Sequence, residues 1–388
     1  MAVTVKDLLN LEIMKDFKIV AGKEGLSRKI DGIEILDFEF VQEGEAYRKR
    51  GFIGNSLVLS SLLFAKDEPE LVMTAIKKLI EQNVQGLAYK PVFFETLPKQ
   101  ALDYAEERNF PILEFGHDEF FEDIIFGVKD LIEKDGTLGM AEPLFGEMLK
   151  REFSPEEANE AHEKIQPLLR PLISVICLKA EDTDEEKTAS IIRRGRPDDR
   201  LQNKIFVGKY RDCFMIILSQ DEDTADRFSA LLEDVLIAYG LMGKNTIMGI
   251  SDVRPAADHF DRAVREAYWS EAVAEIEKET VKFYKDMGIY KLITACIHIS
   301  GITEYMEQYL SPLFEEEEKD GDLLRTAVEY VLAKGDTIKT AESLFCHKNT
   351  VRYRIGKLQE KLDPDSGEKE FYENLAAAVK IYLLLNRQ

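Results

Sequence analysis

Cysteine is scarce in this chain of 388 residues. Cys177, Cys213, Cys296 and Cys346 are the four, and no two of them form a CxxC pair. That scatter argues against a disulfide framework or a thiolate zinc motif, and for a reducing compartment. The five histidines are equally dispersed, with no HExxH. Long apolar runs are missing too. The most apolar stretch, 56–65, has ten residues, three of them serine, about half of the roughly 20 that a membrane span requires. Residues 1–10 hold no basic stretch leading into an apolar core, so no secretory leader is expected and a cytoplasmic location is. Positive charge is in short supply: 51 Lys and Arg stand against 73 Asp and Glu, a net charge of −22. Such a chain repels nucleic acid and anionic lipid unless its cations are gathered in one place.

What is present is ordinary for a folded protein. Hydrophobic residues make up 45% and charged residues 32%, and the length suits two to four domains of about 100–200 residues. In the first third, strand signals at 33–38, 56–62, 84–89 and 112–115 alternate with helix signals. Asp67-Glu68-Pro69-Glu70 reads as a helix start capped by Asp67, and Asn83 as its stop. Further helices are expected over 98–108 and 118–133. Strand–helix alternation with short links means crossover units and a mainly parallel sheet. Asp135-Gly136-Thr137-Leu138-Gly139 reads as a break and hence a domain boundary, and Ser154-Pro155-Glu156-Glu157 as a capping box within a helical linker, 136–165.

The middle region, 166–290, has a different rhythm. Strands at 172–179, 204–207, 213–218 and 246–250 and helices at 186–194 and 223–239 give β-α-β-β-α-β, the ferredoxin-like order, with one further helix at 256–274 and one further strand at 281–284. A second helical linker, 291–321, ends in Glu315-Glu316-Glu317-Glu318, read as a solvated helix end. Trp269 and Tyr268 read as core. The acids around His117 and Asp118 read as a favourable helix start, and Gly22-Lys23-Glu24-Gly25 as a turn. No metal or cofactor is expected.

The last segment, 322–388, stands apart. Its charge balance is +1, whereas residues 1–321 carry −23. Within it, 347–361 holds Lys348, Arg352, Arg354, Lys357 and Lys361 against one acid, Glu360. Its form is helix–turn–helix: a helix over 323–333 ended by Lys334-Gly335, a short second helix capped by Asp336 or Thr337, a turn at 345–347, and a third helix over 348–362. On the third helix Val351, Ile355, Leu358 and Leu362 make one apolar stripe, while Asn349, Arg352, Tyr353, Gly356 and Lys357 point broadly away from it. Gly356 costs about 1 kcal/mol in a helix interior, and on an outward face it permits close approach to a partner. An amide, cations and a phenol on one helical face suit duplex DNA. Arg pairs with guanine and Asn with adenine in the major groove, while Thr, Tyr and Lys hold phosphates. The expected DNA-contacting residues are therefore Lys348, Asn349, Arg352 and Lys357, with Thr337, Thr340, Thr350 and Tyr353 beside them. His347 either packs in the turn or meets a phosphate. Arg354, on the flank of the stripe, either contacts DNA or pairs within the domain. Cys346 reads as a small buried turn residue.

Thr340-Ala341-Glu342-Ser343-Leu344 followed by His347-Lys348-Asn349-Thr350-Val351-Arg352-Tyr353-Arg354-Ile355 resembles the C-terminal helix–turn–helix of the PucR/CdaR family of bacterial transcription regulators. Lys348 stands where that family often has Arg, and Cys346 where it often has Val. Residues 1–135 resemble the family's N-terminal domain, through Thr4-Val5-Lys6-Asp7-Leu8-Leu9, Leu97-Pro98 and Phe110-Pro111-Ile112-Leu113. The region 166–290 resembles its GGDEF-like middle domain, through Met248-Gly249-Ile250-Ser251 and 260–267. The fold class expected is thus multidomain: an α/β sensor, a ferredoxin-like α+β module and an all-α DNA-binding domain. The resemblance implies double-stranded operator DNA as partner, a homodimer, a small-molecule effector and control of catabolic genes, with no membrane. One rival reading is a protein–protein scaffold whose helical tail docks a partner; the other is a nucleotide-binding or nucleotide-converting enzyme. Against it, Tyr210-Arg211-Asp212-Cys213-Phe214 stands where cyclases carry Gly-Gly-Asp/Glu-Glu-Phe. Both glycines are gone, and Asp212 alone cannot hold a pair of metal ions.

Overall fold

The computed structural model describes residues 3–37, 52–116, 118–195, 197–198, 200–201, 203–222, 225–314 and 322–387. Phe38, His117 and Glu315–Glu318, on which parts of the sequence reading fall, lie outside the described residues. The chain divides into two compact units, Met1–Glu142 with Ala189–Arg196, and Pro143–Thr188 with Pro197–Gln388.

The first unit is built on a five-stranded sheet of order β1-β5-β4-β3-β2. Its strands are β1 (Lys18–Ala21), β2 (Gly32–Ile35), β3 (Ser56–Ser60), β4 (Gly86–Tyr89) and β5 (Ile112–Glu114). β2, β3, β4 and β5 run parallel, as the strand–helix rhythm predicts. β1 is an antiparallel edge strand on β5 that the sequence reading lacks. The central strands are apolar on both sides, as a covered parallel sheet requires. On one side Val58, Leu87 and Ile112 pack with Val72, Ala75, Ile76 and Leu79 of α2 (Glu70–Glu81) and with Ala101 and Ala105 of α3 (Lys99–Glu107). On the other, Leu57, Leu59, Ala88 and Leu113 pack with Val5 and Leu8 of α1 (Val5–Leu8) and with Ile124, Val128 and Leu131. Two details differ from expectation. The residue before α2 is Pro69, which offers no side-chain cap, so Asp67 is not the cap. Asn83, however, is left-handed at φ 60° and ends the helix region as expected.

The expected break at 135–139 is absent. α4 runs unbroken from Phe121 to Lys150 and includes Pro143. Two glycines cost about 1 kcal/mol each there, but the buried side chains of Leu138, Ala141, Phe145 and Met148 keep one apolar face through the segment. α5 (Pro155–Ile165) starts with the predicted capping box. Glu157 N–H donates to Ser154 Oγ at 3.2 Å, and Ser154 N–H donates to Glu157 Oε2 at 2.9 Å.

The second unit holds a sheet of order β11-β9-β6-β8-β7. Its members are β6 (Leu172–Ala180), β7 (Ile205–Tyr210), β8 (Cys213–Gln220), β9 (Thr246–Ile250) and β11 (Val281–Phe283), with the short β10 (Arg254–Pro255) pairing β6. β6, β7, β8 and β9 in the order 9-6-8-7 are the ferredoxin-like arrangement, and β11 adds a parallel strand beside β9. Three further helices lie along this stretch of sequence: α6 (Glu185–Arg194), whose residues from Ala189 on fall in the first unit, α7 (Ala225–Ala238) and α8 (Ala256–Glu277), the last with a non-helical residue at His259. β7 and β8 extend further than expected and leave a two-residue turn, with Tyr210 paired to Cys213 and Arg211 left-handed at φ 55°.

After the sheet come α9 (Tyr290–Cys296) and α10 (Ser300–Phe314), then four C-terminal helices: α11 (Asp322–Leu332), α12 (Thr337–Ser343), α13 (Lys348–Leu362) and α14 (Glu368–Leu385). One hydrophobic core joins them to the middle region. It contains Trp269 and Val273 of α8, Ile293 of α9, Leu310 of α10, Leu324 and Ala327 of α11, Leu358 of α13, and Leu375 and Val379 of α14. Trp269 is therefore core, as expected.

Candidate nucleic-acid interface

The C-terminal helices are placed by local chemistry. α11 ends where Lys334 and Gly335 turn left-handed, at φ 55° and 82°. Asp336 then caps α12: Ile338 N–H and Lys339 N–H donate to its Oδ1 at 2.9 and 3.2 Å. That settles the cap on Asp336 and leaves Thr337 as the first helical residue. Ser343 Oγ–H donates to Glu329 at 2.5 Å and ties α12 to α11. The turn passes through Phe345, which is left-handed at φ 52° and 93% exposed. Cys346 is half-buried, not fully enclosed.

α13 begins at a histidine cap. Asn349 N–H donates to His347 Nδ1 at 3.2 Å, so the proton of the neutral ring sits on Nε2. His347 thus does local work in the turn, with its ring exposed. Val351 and Leu358 are fully buried, and Ile355 and Leu362 pack against the same core. The predicted apolar stripe anchors the helix. On the remaining surface Lys348, Asn349, Arg352, Tyr353, Gly356 and Lys357 are all exposed. Lys357 Nζ lies 5.1 Å from the centre of the Tyr353 ring, a cation–π pair one turn apart. A Cβ placed on Gly356 would meet nothing within 4 Å, so the helix backbone is open to approach there.

Four expected contact residues are buried or half-buried. Thr340 is fully buried, and its hydroxyl donates to the Asp336 carbonyl at 2.7 Å. With no accessible surface it holds the domain together rather than facing a phosphate. Thr337 and Thr350 are half-buried at the first turns of α12 and α13. Arg354 is half-buried on the flank of the stripe.

A second polar cluster lies away from this face and escaped the sequence reading. Arg387 Nη2–H donates to Glu271 Oε2, and Arg387 Nε forms an ion pair with Glu275 Oε2, both at 2.5 Å. Glu271 is wholly buried on α8. Burial raises its carboxyl above the ordinary value, against the pull of Arg387. Burial works against the charge on Arg387, but Glu271 and Glu275 outweigh it and raise its guanidinium. The pairing joins residues 116 apart, and no local pattern announces it.

Residues 7–132 match the purine catabolism regulatory protein-like family, and residues 323–381 match the PucR C-terminal helix–turn–helix domain. The proline-responsive transcriptional activator PutR of Bacillus subtilis is 26% identical over 263 residues. That match covers 64% of this chain and 64% of the relative, so the chain spans less than two thirds of that protein's length in the comparison. The purine catabolism regulatory protein of B. subtilis is 22% identical over 115 residues, 28% of this chain and 20% of that protein. A crystal structure of a regulator of polyketide synthase expression from Bifidobacterium adolescentis matches with a TM-score of 0.29 and 17% identity, over 62% of this chain and 91% of that one. The chain carries, at its two ends, the PucR-family N-terminal domain and the PucR-type helix–turn–helix domain.

Proposed function

We propose that this chain is a DNA-binding transcription regulator that reads an operator with α13. One observation carries the reading: inside the matched helix–turn–helix domain, Asn349, Arg352, Tyr353 and Lys357 are exposed opposite a buried apolar anchor. A face of that kind places an amide and a guanidinium at base edges and a phenol and an ammonium at phosphates. The helix N-terminus, with Lys348 beside it, favours a phosphate as well. The chain's net charge of −22 keeps the rest of the molecule off the duplex, so contact concentrates on the tail.

The reading extends to a homodimer in the cytoplasm, its two α13 helices meeting half-sites about 10 base pairs or a multiple apart. The N-terminal domain senses a small metabolite, which changes output by favouring one arrangement over another. Relatives named as proline-responsive and as a regulator of purine catabolism support a catabolic effector and catabolic target genes. Catalysis is not part of the reading. The β7–β8 turn carries Arg211 and Asp212 where a nucleotide would need glycine and paired acids, and incubation with GTP and magnesium should give no steady turnover.

The test is binding of the full chain to the DNA upstream of its own gene, measured by gel shift across a salt series. With about five phosphates neutralised, log K should fall against log[salt] with a slope of about −4 to −5. Absence of salt-sensitive affinity for any duplex, with and without cell extract as a source of effectors, rejects the reading.

A further inference from the structure

Three side chains outside the helix–turn–helix meet inside the middle sheet. Cys177 lies in the centre of β6, Cys213 opens β8 just after the hairpin turn, and Glu271 projects from α8. α8 presses hard on the sheet here: a Cβ on Gly249 would stand 2.0 Å from Glu271 N, so only glycine fits. The two Sγ atoms and a carboxylate oxygen of Glu271 all lie within 4.8 Å of one another. Cys177 and Glu271 are 0% exposed and Cys213 is 5% exposed. Arg387 occupies Glu271 Oε2, whereas Oε1 is buried without a hydrogen-bond partner. A carboxylate oxygen left in that state is costly unless something of opposite charge meets it.

We propose that Cys177, Cys213 and Glu271 form a binding site for a thiophilic metal ion of the zinc class, with Arg387 as the outer partner that orients Glu271. Two sulfurs and one oxygen are a donor set for zinc, not for magnesium or calcium, which take oxygen alone. At Zn–S bonds of about 2.3 Å, tetrahedral sulfurs stand about 3.8 Å apart, so the ligands close on the ion with a movement of about an ångström or less. The charge balances. One dication enters, two thiol protons leave to solvent, and two thiolates remain. With Glu271 and Arg387 counted, the net charge of the buried cluster is the same before and after. The fourth position is left for a non-protein ligand. A hydrogen bond from Arg387 to a ligating carboxylate is the usual outer support of such a site, and here it joins the ion to the chain just past α14.

The test uses the full chain, stripped with a chelator, kept reduced with a phosphine under nitrogen, and titrated with cobalt(II) alone. One equivalent of cobalt should give an intense near-ultraviolet sulfur-to-cobalt band with the visible bands of a tetrahedral ion, and zinc should abolish both. Cys213→Ser, at the strand end, and Cys177→Ser should lose the band. A Cys296→Ser/Cys346→Ser chain should keep it, and Glu271→Gln should bind cobalt about tenfold or more weakly. The titration of the unaltered chain decides the matter even if a variant fails to fold. Absence of the sulfur-to-cobalt band there overturns the proposal, as does a band that survives in Cys213→Ser or disappears in Cys296→Ser/Cys346→Ser.

Discussion

Arg387 reaches back to Glu271, a wholly buried carboxylate 116 residues earlier, and donates to it at 2.5 Å. Removing one partner of a buried ion pair strands the other. Arg387→Ala should therefore cost about 3–5 kcal/mol, read from urea unfolding followed by circular dichroism. Adding Glu271→Gln to Arg387→Ala should recover part of the loss, because the stranded charge is gone. A double variant as unstable as the sum of the singles would show that the two side chains act independently.

Asp336 holds two amides at the start of α12. Asp336→Ala should lower stability by about 1 kcal/mol, and Asp336→Ser by much less, since serine caps as well. Thermal melting of the full chain separates them. Equal melting of all three chains would mean that the cap contributes nothing.

Gly356 stands on the exposed face of α13 with open space around its Cα. Gly356→Ala should stabilise the free protein by about 1 kcal/mol and weaken its grip on DNA, because the methyl group stands between helix and groove. Unfolding and gel shift on the same sample give both numbers. Unchanged affinity would remove the backbone from the interface.

Arg352 and Lys348 should differ in kind. Arg352→Ala is expected to cost about 1–3 kcal/mol of binding and to relax preference at one base position, while Lys348→Ala weakens all sequences alike and makes the salt slope shallower by about 1. Anisotropy titrations on an operator and on a scrambled duplex at several salt concentrations test this. Identical behaviour of the two variants rejects the assignment of roles.

His162 on α5 is half-buried, with Nε2 unpartnered and its ring edge-on to Phe260 at 5.9 Å. Burial lowers its affinity for a proton below the ordinary 6.5, with Glu163 opposing. The unfolded chain then binds the proton more readily than the folded one. Stability should be intact above pH 6.5 and fall as pH drops from there towards the folded value. His162→Phe should flatten that decline between pH 7.5 and 5 in melting experiments. An unchanged pH profile would place the acid sensitivity elsewhere.

Much of the interface was legible because helical periodicity is a strong local signal. Val351, Ile355, Leu358 and Leu362 define the buried side of α13, and the exposed residues follow by geometry. Thr340 misled because sequence shows a hydroxyl but not its partner, and the Asp336 carbonyl claims it. At 135–139 two glycines signal a stop, yet Leu138, Ala141 and Phe145 continue an apolar face and the helix continues with them. β1 was missed because an edge strand of four residues carries little alternation. The Arg387–Glu271 pair and the meeting of Cys177 with Cys213 depend on contacts between segments far apart in sequence, which no local pattern encodes.

The core shared by Trp269 of α8 and Leu358 of α13 has a practical consequence. The tail is not a detachable reading head. Truncation before residue 322 would bare the apolar flank of α8, and the excised tail would carry its own uncovered half. Middle region and tail should melt in a single cooperative transition, and fragments cut between them should be prone to aggregate.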